Sequence, residues 1–209
     1  MATTATSLEQ FQRDEDVTRA EVSVKTEGDE VRADCTLWFT AVMNASAADT
    51  WKYAKDFNAW QDDLDYNCII GEQPEGTGVY FTIAPAFHEQ YEKNYRVDVK
   101  EFRKDLIVRF VDPEQLLVLE ELSAPTNVLS QWVGAEPVKG REIAAYYIVD
   151  LHERDGRTTV AARFTYAPTF APKENEEQLR SSFEGMGNEV TQRWKTKYLP
   201  ALRQLVEGA

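Results

Sequence analysis

The C-terminal stretch constrains this fold more than any other part of the chain. Leu179, Phe183, Met186, Val190, Trp194, Tyr198, Leu202 and Leu205 recur every three or four residues, the period at which side chains share one face of an α-helix. A helix with so long an apolar stripe must bury it along its whole length, so the preceding chain has to supply a matching surface. Asn175, with Gln178 three residues on, has the pattern of a capping box at the helix start, and Gly208 closes the helix. Pro200 falls inside it and predicts a kink, because proline brings no amide hydrogen and its ring meets the preceding turn.

What precedes the helix is written mostly in period two, the alternation of a half-buried strand. Val22 and Val24, the turn Glu27-Gly28-Asp29, then Val31, Cys35, Leu37, Phe39, Ala41 and Met43 give a hairpin ending in a long strand. Ser46 as N-cap with Asp49 behind it, followed by Trp51, Ala54 and Phe57, predicts a first short helix, and 58–64 a second helical turn. Strands follow at about 65–72 and 77–84, joined by Gln73-Pro74-Glu75-Gly76. Another spans 92–101 through Tyr95, Val97 and Val99. The next spans 106–112 through Leu106, Val108 and Phe110, after a turn at Lys104-Asp105. Two long strands at 141–153 and 157–167 meet at Asp155-Gly156, a hairpin dipeptide. Residues 112–140 break the rhythm. Asp112-Pro113 is a good cap and first-turn pair, which predicts a helix over 114–122 inside an inserted lid, although Leu117, Leu119 and Glu121 also alternate as a strand would. Residues 1–18 are polar and read as a flexible tail, leaving 19–209 as one domain, a size that a single core can serve.

Composition removes whole classes of function. With 23 basic and 36 acidic residues the net charge is −13, so a phosphate backbone or an anionic bilayer face repels the chain, and nucleic acid is not an expected partner. Residues 1–10 lack a basic segment followed by an apolar one, and no apolar run reaches the ~18 residues of a spanning helix. A soluble, cytoplasmic protein without membrane insertion is the expectation. Cys35 and Cys68 lie in apolar strand-like runs and read as buried free thiols. No phosphate-binding glycine loop or dinucleotide fingerprint occurs, so no nucleotide cofactor is expected. The two histidines, His88 and His152, have no zinc-ligand spacing and no nucleophile elbow nearby, so neither a metal nor a covalent hydrolase is expected.

The order of strand, two short helices, antiparallel strands and one long C-terminal helix rests on particular residues. These are the strand 36–44 running into Ala47-Ala48-Asp49-Thr50-Trp51, then Asp56-Phe57-Asn58-Ala59-Trp60, then Tyr95-Arg96-Val97 before Leu106-Ile107-Val108. In that order the chain, over about 30–207, resembles the START and polyketide-cyclase-like superfamily (SRPBCC), which includes birch-pollen-allergen-like proteins. The resemblance implies an α+β helix-grip fold: a curved antiparallel sheet around a long C-terminal α-helix, with two short helices after the first core strand. It also implies a cavity between sheet and helix. Members bind lipids, sterols, polyketides or plant aromatics, and some are enzymes, but no universal catalytic motif transfers to this sequence.

The resemblance leaves three functions open. The first is binding of a small hydrophobic molecule, aromatic or polycyclic. The second is an aromatase or cyclase-type lyase acting in the same cavity, and the third an interaction module like the chaperone activators, using its outer surface. Strand parity places Phe81, Val108, Phe110, Tyr147, Phe164 and Tyr166 on the inner face of the sheet. The helix stripe adds Phe183, Met186 and Val190, and the lid adds Trp132. Gly187 lies beside the stripe in an otherwise good helix, and leaves volume either for a ligand or for tight helix-to-sheet contact. Candidate catalytic groups are His88, in a loop beside Glu89, Arg96, on a strand, and Tyr166, whose hydroxyl can orient a ligand or donate a proton. Arg163 lies on a strand as well and reads either as an anion contact or as an outward, solvated side chain. The acidic groups Asp62-Asp63-Asp65, Glu120-Glu121 and Glu174-Glu176-Glu177 read as solvated faces or helix starts, and His152 as surface.

Overall fold

The computed structural model describes residues 15–95, 98–112, 116–121, 144–170 and 176–208. Strands β1 (Val17–Glu27) and β2 (Glu30–Met43) form the first hairpin. Its turn needs a left-handed residue, which Gly28 supplies at φ +62°. Helix α1 (Ala47–Ala54) starts where expected: the Ser46 hydroxyl accepts from the Asp49 amide at 3.1 Å and donates to the Asp49 carboxylate at 2.8 Å. Helix α2 (Phe57–Trp60), β3 (Leu64–Tyr66) and β4 (Gly78–Ile83) follow. The strand expected over 65–72 ends at Tyr66, and Ile70–Glu72 is a 3-10 turn. After β4 come helix α3 (His88–Tyr95), β5 (Lys104–Asp112), β6 (Leu116–Glu121), β7 (Ala144–Arg154), β8 (Arg157–Ala167) and the short β9 (Thr169–Phe170). The turn between β7 and β8 has both Asp155 (φ 52°) and Gly156 (φ 74°) left-handed, the geometry that matches strand twist in a two-residue hairpin.

All pairings are antiparallel, in the order β1-β2-β8-β7-β6-β5-β4-β3, with β9 on β2. The long helix runs as α4 (Glu176–Arg193), a π turn (Trp194–Tyr198) and α5 (Leu199–Glu207). The architecture is therefore the expected α+β sheet wrapped around a C-terminal helix. The π turn lies just before Pro200, whose missing amide leaves the usual i−4 carbonyl without its donor. The extra residue in that turn advances the buried face by one position, so Leu199, Leu202 and Val206 are buried while Leu205 is only half-buried.

Three expectations are corrected. The strand over 92–101 is not formed: His88–Tyr95 is helical and Val99–Glu101 is a 3-10 turn. The apparent alternation of Tyr95, Val97 and Val99 straddles two elements, and the run from His88 to Tyr95 is dominated by good helix formers. The helix over 114–122 is also not formed, because Leu116–Glu121 is β6, paired with β5 and β7. Two flanking strands satisfy its backbone, which outweighs the Asp112-Pro113 start signal. Strand β1 begins at Val17, inside the stretch read as tail. The remainder of the inserted segment (113–115 and 122–143), with Trp132, lies outside the described residues, as do Arg96 and the cap position Asn175.

At Gly187 the helix lies in close contact with the sheet. A Cβ there would fall 3.0 Å from Ala20 Cβ, 3.6 Å from Cys35 Sγ and 3.7 Å from Leu37 Cδ2, so the glycine makes room for β1 and β2 rather than for a ligand. Cys35 is buried below it, and burial pushes its thiol pKa up to about 12. Cys68 is also free but only half-buried, packed against the edge of the core. Gly185, by contrast, faces open space. We therefore expect Gly187→Leu to lose roughly 1–3 kcal/mol through overpacking, while Gly185→Ala gains up to about 1 kcal/mol of helix propensity. Urea unfolding of both variants checks this, and equal stability of Gly187→Leu and the parent would remove the close-contact account.

Candidate functional site

Away from Gly187 the helix and the sheet diverge, and a cavity of about 200 Å³ opens between them. Its sheet side is aromatic. Phe81 on β4, Tyr147 on β7 and Phe164 and Tyr166 on β8 line it, with Tyr147 and Phe164 in ring contact at 4.6 Å. Its helix side is formed by Met186, Val190 and Trp194. Phe39 stacks on Trp194 at 4.2 Å and fixes that indole from behind.

Six of the residues singled out from the sequence therefore face the cavity: Phe81, Tyr147, Phe164, Tyr166, Met186 and Val190. Four others do not. Val108 is fully buried in the core but not at the cavity. Phe183 is buried behind the wall, stacked on Tyr166 at 6.1 Å and edge-on to Phe170 at 5.9 Å. Gly187 is filled by β1 and β2. Phe110 is 45% exposed, because a β-bulge between Val108 and Phe110 inserts Arg109 as an extra residue. Beyond that bulge parity inverts, and Val111 instead of Phe110 packs toward the core. His88 opens α3 and its Nε2 donates to the Ile83 carbonyl at 3.0 Å, so it fastens the start of that helix and is not at the cavity. Arg163 stacks on Trp38 at 5.0 Å, away from the cavity. His152 is half-exposed beside Asp150 at 3.4 Å.

The residues that sequence reasoning missed are the polar ones. Asp63, read as a solvated acid, is 2% exposed and is the centre of a clasp. Tyr198 donates to its Oδ1 and Tyr91 to its Oδ2, both at 2.6 Å. Arg193 reaches Oδ2 at 3.2 Å, and Lys197 lies 3.5 Å from Oδ1. Arg193 also contacts the Tyr91 hydroxyl and binds Glu189 at 2.9 Å. Tyr91, Tyr198, Arg193 and Glu189 all line one end of the cavity. Lys104 and Gln61 complete the polar lining. Lys104, read as part of a turn, is the first residue of β5 and points inward, 9% exposed. No pattern in the sequence marks Asp63 or Lys104, because each depends on partners remote in the chain.

Burial alone would push the Asp63 carboxyl up, but the Tyr198 and Tyr91 hydrogen bonds and the Arg193 and Lys197 charges outweigh it, and its pKa lies below the ordinary value. Burial, reinforced by the Asp63 carboxylate, holds the Tyr91 and Tyr198 phenols well above theirs, so both stay protonated donors. Arg193 stays charged despite burial, sustained by the two tyrosines and Asp63. Burial also raises Glu189, and Arg193 only partly offsets this. Asp63 is thus saturated with donors and is suited to holding structure, whereas Glu189 is the lining carboxylate that titrates upward. Among the described residues no three His, Cys, Asp or Glu side chains converge as a metal site.

No family model and no curated protein sequence matches this chain. Solved structures do. A protein of unknown function from Staphylococcus aureus is 7% identical over 85% of this chain and 96% of its own, with a TM-score of 0.56. The Aha1 dimer from Colwellia psychrerythraea is 11% identical over 82% and 96%, at 0.48, and CalU16 from Micromonospora echinospora 11% over 92% and 95%, at 0.41. At such identities the likeness concerns the fold alone: the chain has the α+β helix-grip architecture. No helix among the described residues is long and apolar enough to cross a membrane.

The clasp makes a pH-dependent prediction. Since the folded pKa of Asp63 is below its unfolded value of about 4, its contribution is complete above that pH and disappears as pH falls through the folded pKa. Asp63→Asn should cost about 3 kcal/mol or more at pH 7, as for a buried ion pair stripped of one partner. Urea unfolding should show the gap between variant and parent narrowing toward pH 3. A gap unchanged between pH 7 and pH 3 would mean that the carboxylate charge does not hold the clasp.

Proposed function

We propose that this protein binds a small aromatic molecule in the cavity between β4, β7, β8 and the C-terminal helix, and that it belongs to the START and polyketide-cyclase-like superfamily. The observation that carries the reading is the aromatic lining of a cavity that lies between the close helix contact at Gly187 and the Asp63 clasp. Size narrows the ligand. An apolar protein cavity of about 150 Å³ accepts benzene, and pockets for drug-sized ligands run from about 300 Å³ upward. A cavity of about 200 Å³ suits one or two rings, not a polycyclic skeleton or a long lipid. A continuous cavity also favours this reading over a module acting through its outer surface.

Glu189 supports a second reading, a cyclase-type dehydratase. It is the one carboxylate among the described lining residues, and its raised pKa suits a general acid. Turnover of a short aromatic polyketide should then fall as pH rises through the Glu189 pKa and be lost in Glu189→Gln, and a flat pH profile would remove the enzymatic reading.

Trp194 lines the cavity, so titration with indole or naphthalene should change tryptophan emission, with a dissociation constant on the order of 0.1 mM for so few atoms. Val190→Phe, which fills the cavity, should weaken binding about tenfold or more while melting close to the parent. Absence of saturable binding by either probe, or equal binding by Val190→Phe, would place the function elsewhere.

A further inference from the structure

The polar lining narrows the ligand further, on the basis of the small-aromatic reading above. We propose that the aromatic ligand carries a carbonyl oxygen, as an aryl ketone does, and that the side-chain amide of Gln61 receives this oxygen.

Gln61 is 4% exposed and lines the cavity. Its Oε1 accepts from the Tyr66 hydroxyl at 3.1 Å. Tyr66 is buried as well, so its phenol proton needs an acceptor, and that need fixes which end of the amide faces it. The amide nitrogen, a double donor, makes no hydrogen bond among the described residues. A buried donor without a partner is costly, and an acceptor on a bound ligand removes that cost. The rest of the polar lining differs in this respect. Tyr91, Tyr198, Arg193 and Glu189 are engaged with one another and with Asp63, and the Lys104 ammonium lies over the Tyr166 ring at 5.4 Å.

The amide is also held in place from its own side. Gln61 follows α2, where its backbone amide donates to the Phe57 carbonyl at 2.8 Å and its carbonyl accepts from the Leu64 amide at 3.0 Å. Tyr66, which fixes the side chain, packs edge-on to Phe57 at 5.3 Å and against Phe81 at 4.8 Å. A donor ordered in advance spares the ligand the entropy of ordering it.

The chemistry of the amide selects the kind of acceptor. A carbonyl oxygen offers two lone pairs and brings no proton. A hydroxyl brings a proton, and the amide oxygen is already committed to Tyr66. A carboxylate brings a charge that a neutral amide does not balance, and a hydrocarbon leaves the donor unmet.

The test compares acetophenone with α-methylstyrene, which has the same shape but carries a methylene in place of the carbonyl oxygen. With wild-type protein in excess over acetophenone isotope-labelled at the carbonyl, infrared difference spectra should show the carbonyl stretch below its position in an alkane, the mark of a hydrogen bond. The double variant Gln61→Met/Tyr66→Phe removes the amide and the phenol together, so that no buried hydroxyl is orphaned. It should bind acetophenone roughly threefold to tenfold more weakly, the range of one neutral hydrogen bond. It should bind α-methylstyrene as before and return the carbonyl band to its alkane position. A wild-type band at the alkane position, a band still lowered in the variant, or equal loss of both compounds would overturn the Gln61 assignment, and the first of these needs no variant to fold. Binding of α-methylstyrene would then leave the small-aromatic reading intact, whereas failure of both compounds to bind would overturn both.

Discussion

Everything at the open end of this fold depends on one buried carboxylate. Asp63 lies in the turn between α2 and β3, and the groups around it come from α3, from the end of α4 and from the π turn that follows it. Burying an ionised carboxylate costs several kcal/mol unless hydrogen bonds and opposite charge replace the lost water. Here two phenols donate to it, Arg193 and Lys197 balance it, and its backbone carbonyl accepts from the Ala84 amide at 2.9 Å. Three remote segments are fixed by one atom group. Helix α3 profits most, because its sequence is largely polar and Tyr91 is its link to this network. The cavity end built from Tyr91, Tyr198 and Arg193 is therefore held by electrostatics, whereas the rest of its wall is held by packing.

Packing does the complementary work at the other end. At Gly187 the helix comes within contact of β1 and β2, and Thr191 returns its hydroxyl to the Gly187 carbonyl at 2.9 Å. A helix drawn onto one side of a curved sheet leaves its other side standing off from β4, β7 and β8. Protein interiors close voids wherever side chains can collapse into them. This one is bounded by large rings already braced from behind, Phe39 against Trp194 and Phe183 against Tyr166. The void thus follows from where the helix touches the sheet and where it is held away.

Much of the architecture was legible because it rests on local periodicity. The stripe from Leu179 to Leu202, the alternation along β2 and the Asp155-Gly156 turn each carry their own signal. What could not be read depends on breaks in register or on partners far away. Arg109 as a bulge residue reverses parity, so Phe110 moves outward although its spacing from Leu106 and Val108 is regular. Tyr95 and Val99 alternate by accident across a helix and a turn. The run 116–121 satisfied both a helix and a strand pattern, and pairing with β5 and β7 decided it. Gly187 was correctly seen as leaving space, but only its neighbours Ala20, Cys35 and Leu37 show that β1 and β2 occupy it. Four cavity-facing residues were found by strand parity and two, Met186 and Val190, by the helix stripe, while Asp63, Lys104, Gln61 and Arg193 were not, since a polar side chain turned inward obeys no period.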